Sequence, residues 1–201
     1  MILFPAFLKL AGRRCLVAGA GPVAEEKIEG LLRAGADVRV VAPEATRRIR
    51  ELARRKRLRW NEREFRASDL SGTFLVVAAT SSPSLHAKIY RQARRRGVLC
   101  NVVDDPEHCD FYYGSVVQRG ALQIAISTAG RSPALAQRLR KKFEKEFGAE
   151  YEEWLDELGK MRERLFVKKV APEKRRALLH ELAGEASFEE FLKRKKRKEH
   201  A

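Results

Sequence analysis

The feature that most constrains this chain is the run Gly19-Ala20-Gly21-Pro22-Val23-Ala24, a G-x-G-x-x-A turn set between two apolar segments. Arg14 to Ala18 before it reads as a strand, and Pro22 to Arg33 after it reads as a helix. Ala24, Ile28, Leu31 and Leu32 share one face of that helix, Pro22 suits its first turn and Gly35 ends it. In this setting Gly19 permits a tight turn and Gly21 lets the backbone approach a pyrophosphate. Ala24 allows close helix–sheet packing, and the helix N-terminus faces the phosphates with N–H groups and positive dipole. A second strand follows at Val38 to Ala42. The expectation is a βαβ unit that binds a dinucleotide.

The alternation continues. Ala45 to Lys56 reads as a basic helix, Leu58 to Trp60 as a brief strand and Thr73 to Ala79 as an apolar, buried parallel strand. Ser84 to Arg96 is helical and Val98 to Val103 is another strand, which together predict an α/β fold with a doubly wound parallel sheet. The pattern then changes. Phe111 to Gln118 and Leu122 to Ser127 read as an antiparallel pair turning at Arg119-Gly120, and Ser132-Pro133 opens a helix. From Glu150 onward the sequence is helical and charged, and Lys193 to Ala201 is expected to fray as a basic tail. The boundaries so read are 1–112, 113–147 and 148–201.

Charge and cysteine usage narrow the class. Among 201 residues, 42 Lys and Arg against 27 Asp and Glu leave a formal charge of +15, which points to an anionic partner. Clusters such as Arg47, Arg48, Arg54 to Arg57 and Arg94 to Arg96 fall on candidate helices, where a solvated face accounts for them. No aromatic-rich nucleic-acid motif accompanies them, so nucleic acid is not the favoured partner. No apolar stretch is long enough to span a bilayer. The apolar Met1 to Leu8 lacks a basic flank and a cleavage site, so no signal peptide is read. Three cysteines, two of them in apolar runs, fit a reduced, cytoplasmic protein.

Candidate chemistry lies beyond the glycines. Glu44 stands at about the expected distance for a carboxylate that takes ribose hydroxyls, which favours NAD, while Arg47 and Arg48 are placed to meet a 2′-phosphate. Asp104 and Asp105 follow a buried strand at its carboxyl end. Either a general base or a plain turn before Pro106 accounts for them. His108, Cys109, His86 and Cys100 match no metal-ligand spacing, so no metal site is expected.

Phe4-Pro5 to Phe7-Leu8, the segment Cys15 to Ala24 with Glu26-Lys27, and Val40-Val41-Ala42-Pro43-Glu44 resemble the precorrin-2 dehydrogenase and sirohydrochlorin ferrochelatase family of siroheme biosynthesis. So do Ala78-Ala79-Thr80, Cys100-Asn101-Val102-Val103-Asp104 and the run Ile126 to Pro133. The resemblance implies NAD-dependent oxidation of precorrin-2, an anionic tetrapyrrole, to sirohydrochlorin. It also implies a homodimer built from a Rossmann-type domain, a central dimerisation segment (113–147) and a helical C-terminal domain. It assigns the catalytic aspartate to Asp104 rather than Asp105, and nucleotide contacts to Pro22, Val23, Pro43 and Glu44. Two positions depart from the family pattern: Thr128 replaces a serine that is phosphorylated in one branch, and Gly114 replaces a frequent proline. No methyltransferase pattern follows, so a fused trifunctional enzyme is not expected. One alternative is a dehydrogenase that also inserts ferrous iron. The other is a dinucleotide-binding regulator of nucleic acid.

Overall fold

The structure is a computed structural model and describes residues 2–199. Two compact units divide between Tyr113 and Gly114. The first holds five parallel strands in the order β3-β2-β1-β4-β5: β1 (Arg14–Ala18), β2 (Asp37–Val41), β3 (Arg59–Asn61), β4 (Leu75–Ala78) and β5 (Leu99–Val102). Helices α1 (Pro22–Arg33), α2 (Arg47–Arg54) and α3 (Pro83–Arg94) connect them. This is a doubly wound α/β sheet, and its strand order reverses direction between β1 and β4.

The central strands β1 (from Cys15) and β4 read as continuous apolar runs because both faces are covered. Cys15, Val17, Val38, Val40, Leu75 and Val77 pack under Ala24, Ile28 and Leu31 of α1 and Ile49 and Leu52 of α2. Leu16, Ala18, Val76, Ala78, Cys100 and Val102 pack on the other face with Ile89 and Ala93 of α3. Each large aliphatic side chain so buried contributes about 1.5–3 kcal/mol.

Glycine is required where β1 leaves the sheet. Gly19 has φ +106°, and a Cβ there would lie 2.1 Å from the Ala79 carbonyl oxygen. That approach holds the ends of β1 and β4 side by side.

Three elements differ from the sequence reading. Helix α2 begins at Arg47, because Thr46 is extended and its Oγ1 caps the Ile49 N–H at 3.4 Å. The antiparallel pair begins at Ser115 rather than Phe111, because the Phe111 carbonyl accepts the Asn101 Nδ2 bond at 2.8 Å. The basic segment from Lys193 does not fray. It continues helix α7 (Glu185–Glu199), with buried Phe191 and with Arg194 and Lys195 paired to Glu157 and Glu153 at 3.0 and 2.5 Å. Residues 200 and 201 of the expected tail lie outside the described residues.

The second unit joins β6 (Ser115–Arg119) and β7 (Leu122–Ile126) as an antiparallel hairpin, with Arg119 opposite Leu122 and Gly120 at φ +54° in the turn. Helices α4 (Pro133–Glu146), α5 (Glu150–Val167), α6 (Pro172–Leu182) and α7 complete it around a cluster of aromatic rings, with Tyr151, Trp154 and Phe188 in mutual contact. A Cβ at Gly114 would sit 2.8 Å from the Ile126 carbonyl oxygen, so the hairpin closes too tightly there for a larger residue. Thr128 Oγ1 accepts the Ser132 N–H at 3.1 Å and so helps start α4.

Replacing Gly19 with Ala should cost the first unit at least about 2 kcal/mol, because both the left-handed backbone and the Ala79 contact oppose a side chain. Urea unfolding followed by circular dichroism measures this as a lowered midpoint with little change in slope.

Candidate active site

A cleft of about 880 Å³ opens along the carboxyl edge of the parallel sheet, where doubly wound folds receive their ligands. Its walls come from the loops after all five strands. Gly19, Gly21, Pro22 and Val23 form the centre, Pro43, Glu64 and Phe65 the β2–β3 side, and Thr80, Lys88, Val103 and Asp104 the β4–β5 side. Its charged residues are Glu64, Lys88 and Asp104.

The central turn is shaped for a phosphate group. Gly21 is the N-cap of α1, and no side chain caps the first-turn N–H groups. Helices α2, α3 and α4 differ, since Thr46, Ser82 and Ser132 close their first turns. Pro22 has no N–H to satisfy, so the amide of Val23, which lines the cleft, is the first donor presented there. A Cβ built on Gly21 meets nothing within 4 Å. Packing therefore does not demand glycine at this position, and its missing side chain leaves room in the cleft instead. Ala24 lies fully buried beneath the turn. These features fit the pyrophosphate of a dinucleotide, held by the Val23 amide and the positive end of the helix.

Asp104 ends the strand side of the cleft with φ +60°, a left-handed backbone that a non-glycine residue adopts at a cost of about 1 kcal/mol or more. The loop behind it is tightly tied. Val103 N–H donates to the Ala78 carbonyl at 2.9 Å and Asp105 N–H to the Val102 carbonyl at 3.3 Å. Cys109 Sγ accepts from the Val102 N–H and from Asn101 Nδ2, both at 3.3 Å, and lies 3.2 Å from the Val102 and Asp105 carbonyls. Asp110 accepts the Cys100 N–H at 2.9 Å. The Asp105 carboxylate turns to His108 Nδ1 at 2.7 Å and does not line the cleft, whereas Asp104 does.

The cysteines hold protons. Burial pushes the Cys15 thiol up to about 11 and the Cys100 thiol up to about 12, with nearby Asp37 and Asp110 adding to the effect, and burial also raises Cys109. Among the described residues no three His, Cys, Asp or Glu side chains converge on one point.

The structure gathers Gly19, Gly21, Pro22, Val23, Pro43 and Asp104 around one cleft, with Ala24 under it. Glu44, expected at the ribose, is exposed and does not line that cleft. Sequence reasoning did not single out Glu64, Lys88 or the lining residues Ser81, Ser82 and Ser84, although Thr80 beside them carried part of the resemblance. The signal for these serines was Ser82-Pro83, a cap and first-turn pair opening α3 beside the cleft.

Comparison with known proteins agrees with this geometry. A family model described as "Putative NAD(P)-binding" matches residues 6–115, and one described as "Sirohaem biosynthesis protein central" matches residues 119–146. A siroheme synthase of Photorhabdus laumondii is 38% identical over 177 residues, which are 88% of this chain and 38% of that protein. A siroheme synthase of Neisseria meningitidis is 42% identical over 144 residues, which are 72% of this chain and 30% of that protein. The chain thus spans about a third of the length of these curated relatives. Among solved structures, "SirC, precorrin-2 dehydrogenase" superposes with a TM-score of 0.79 at 26% identity, covering 97% of this chain and 100% of that one.

Gly21→Asp should leave the chain folded, since space surrounds that position, and should bring dinucleotide binding below calorimetric detection. A side chain and a negative charge would both stand where the pyrophosphate belongs.

Proposed function

The chain belongs to the NAD(P)-binding family found in siroheme biosynthesis, and from that premise we propose that it oxidises precorrin-2 to sirohydrochlorin with NAD as hydride acceptor. The observation that carries this reading is the shared cleft. It places an uncapped helix N-terminus with an open Gly21 position beside a carboxylate held in a left-handed backbone at Asp104.

A bound nicotinamide dinucleotide supplies the hydride acceptor. The chain supplies the rest. The Val23 amide and the α1 N-terminus would hold the pyrophosphate, and Pro43 would wall the adenosine side. The oxidation releases one hydride and one proton. Asp104, exposed at the β5 end of the cleft, takes the proton from the macrocycle at its carboxylate. Precorrin-2 carries acetate and propionate arms, and Lys88 is the cation among the cleft's lining residues that can meet one of them.

We propose further that the active form is a homodimer joined through residues 113–147, with 148–201 as a helical domain. The β6–β7 hairpin is covered by α4, but each of its two strands keeps one edge with no partner strand in this chain's described residues, where a strand of a second copy could add. Val116 on it and Leu135 on α4 are 42% and 41% exposed. Among the described residues no helix is long and apolar enough to cross a membrane, and the three free cysteines suit the reducing cytoplasm we assign it to.

Asp104→Ala should slow single-turnover oxidation of precorrin-2 by about 10²- to 10⁴-fold with little loss of NAD affinity. Asp105→Ala should do much less, because that carboxylate is committed to His108. An absorbance time course with precorrin-2 and NAD, beside calorimetry of NAD binding, reads both. Near-parental rates in Asp104→Ala would assign the proton to another group.

Light scattering at micromolar concentration should give about twice the chain mass of 22.9 kDa. A monomer mass would remove the dimerisation role of 113–147.

A further inference from the structure

The cleft's adenosine side carries an acid at an unexpected place. In a doubly wound nucleotide-binding fold, the ribose acid is looked for just after β2. Here that place holds Ala42 and Pro43, and Glu44 beyond them does not line the cleft. The next strand outward is β3. It pairs with β2 in register, Val41 opposite Asn61, and the Ala42 N–H donates to the Asn61 carbonyl at 3.3 Å. Three residues past Asn61, Glu64 lines the same cleft as Pro43.

The loop bearing Glu64 is fixed from behind. Arg63 forms a two-pronged bridge to Asp69, at 3.0 and 2.6 Å, and also donates to the Glu64 carbonyl at 2.9 Å. Asp69 in turn accepts the Arg66 N–H at 2.8 Å. Burial alone would raise the Asp69 carboxyl, but the Arg63 bond and the Arg66 amide hold it below its ordinary value, so the bridge stays charged. Three arginines beyond β2 are engaged within the protein, Arg47 with Glu51 at 3.1 Å, Arg48 with Glu29 at 3.3 Å and Arg50 with the Ala45 carbonyl at 2.9 Å, while Arg66, two residues past Glu64, is exposed.

Building on the dinucleotide reading above, we propose that Glu64 is the residue that selects NAD over NADP, its carboxylate accepting the adenosine ribose hydroxyls and repelling a 2′-phosphate. The Arg63–Asp69 bridge is its positioning device. It turns Arg63 away from any 2′-phosphate and anchors the backbone that presents Glu64.

Calorimetric titration of the full chain with NAD and with NADP, for the parent, Glu64→Gln and Glu44→Gln, tests this. The parent should prefer NAD. Glu64→Gln should weaken NAD about tenfold or more, tighten NADP and so narrow the preference, while Glu44→Gln leaves it near parental. If Glu64→Gln keeps the parental ratio, or Glu44→Gln is the variant that loses it, or the parent prefers NADP, the assignment to Glu64 is wrong. A parent that binds neither dinucleotide overturns the cleft's reading as a nucleotide site along with it.

Discussion

The backbone contact between Gly19 and Ala79 is the constraint on which the cleft depends. β1 and β4 are neighbours at the point where strand order reverses, and their following turns diverge to α1 on one face and α3 on the other. A crevice forms there only if the two turns leave the sheet side by side. Gly19 lets them do so, because its missing Cβ admits the Ala79 carbonyl. The lining groups nearest that approach follow from it, with the α1 N-terminus on one flank and the Thr80 to Ser84 loop on the other.

The fold and the centre of the site were legible because each rests on a local rule. A glycine turn between a strand and an amphipathic helix has one structural meaning, and apolar runs such as Leu75 to Ala78 declare burial on both sides. Boundaries were less legible where a side chain overrode a pattern. Thr46 delays α2 by capping it, and Asn101 claims the Phe111 carbonyl and so denies that segment to the hairpin. The run of lysines and arginines at the C-terminus looked solvated from its charge, yet its pairing with Glu153 and Glu157 on α5 draws on residues far away in sequence. Glu64 was invisible for the same reason. Nothing in Arg63-Glu64-Phe65 marks a ligand loop until the pairing of β2 with β3 carries it to the cleft.

Asp104 shows how one loop can hold a strained backbone at the edge of the cleft. Its left-handed backbone is unfavourable by itself, so the surrounding loop has to over-determine it. Cys109, Asn101 and Asp110 do this with bonds to the β5 backbone, to the loop and to one another. Cys109 thereby acts as a polar staple, and its thiol is kept protonated by burial. Asp105 and His108 satisfy each other beside it, leaving Asp104 as the carboxylate of this loop that lines the cleft.

The strand order also governs how the chain must be assembled during synthesis. The innermost strand, β1, precedes the other four strands in the chain, and β2 can pair with one of its edges within a short stretch of chain. Its other edge waits for Leu75 to Ala78, after α2, β3 and the turn at Ala67–Leu70 have all been made. Until then Cys15 to Ala18 presents an apolar strand with one open row of backbone donors and acceptors, the kind of edge that pairs with strangers. The nascent chain therefore passes through a window in which a βαβ fragment without its partner strand is most open to misassembly, and that window closes only when β4 arrives.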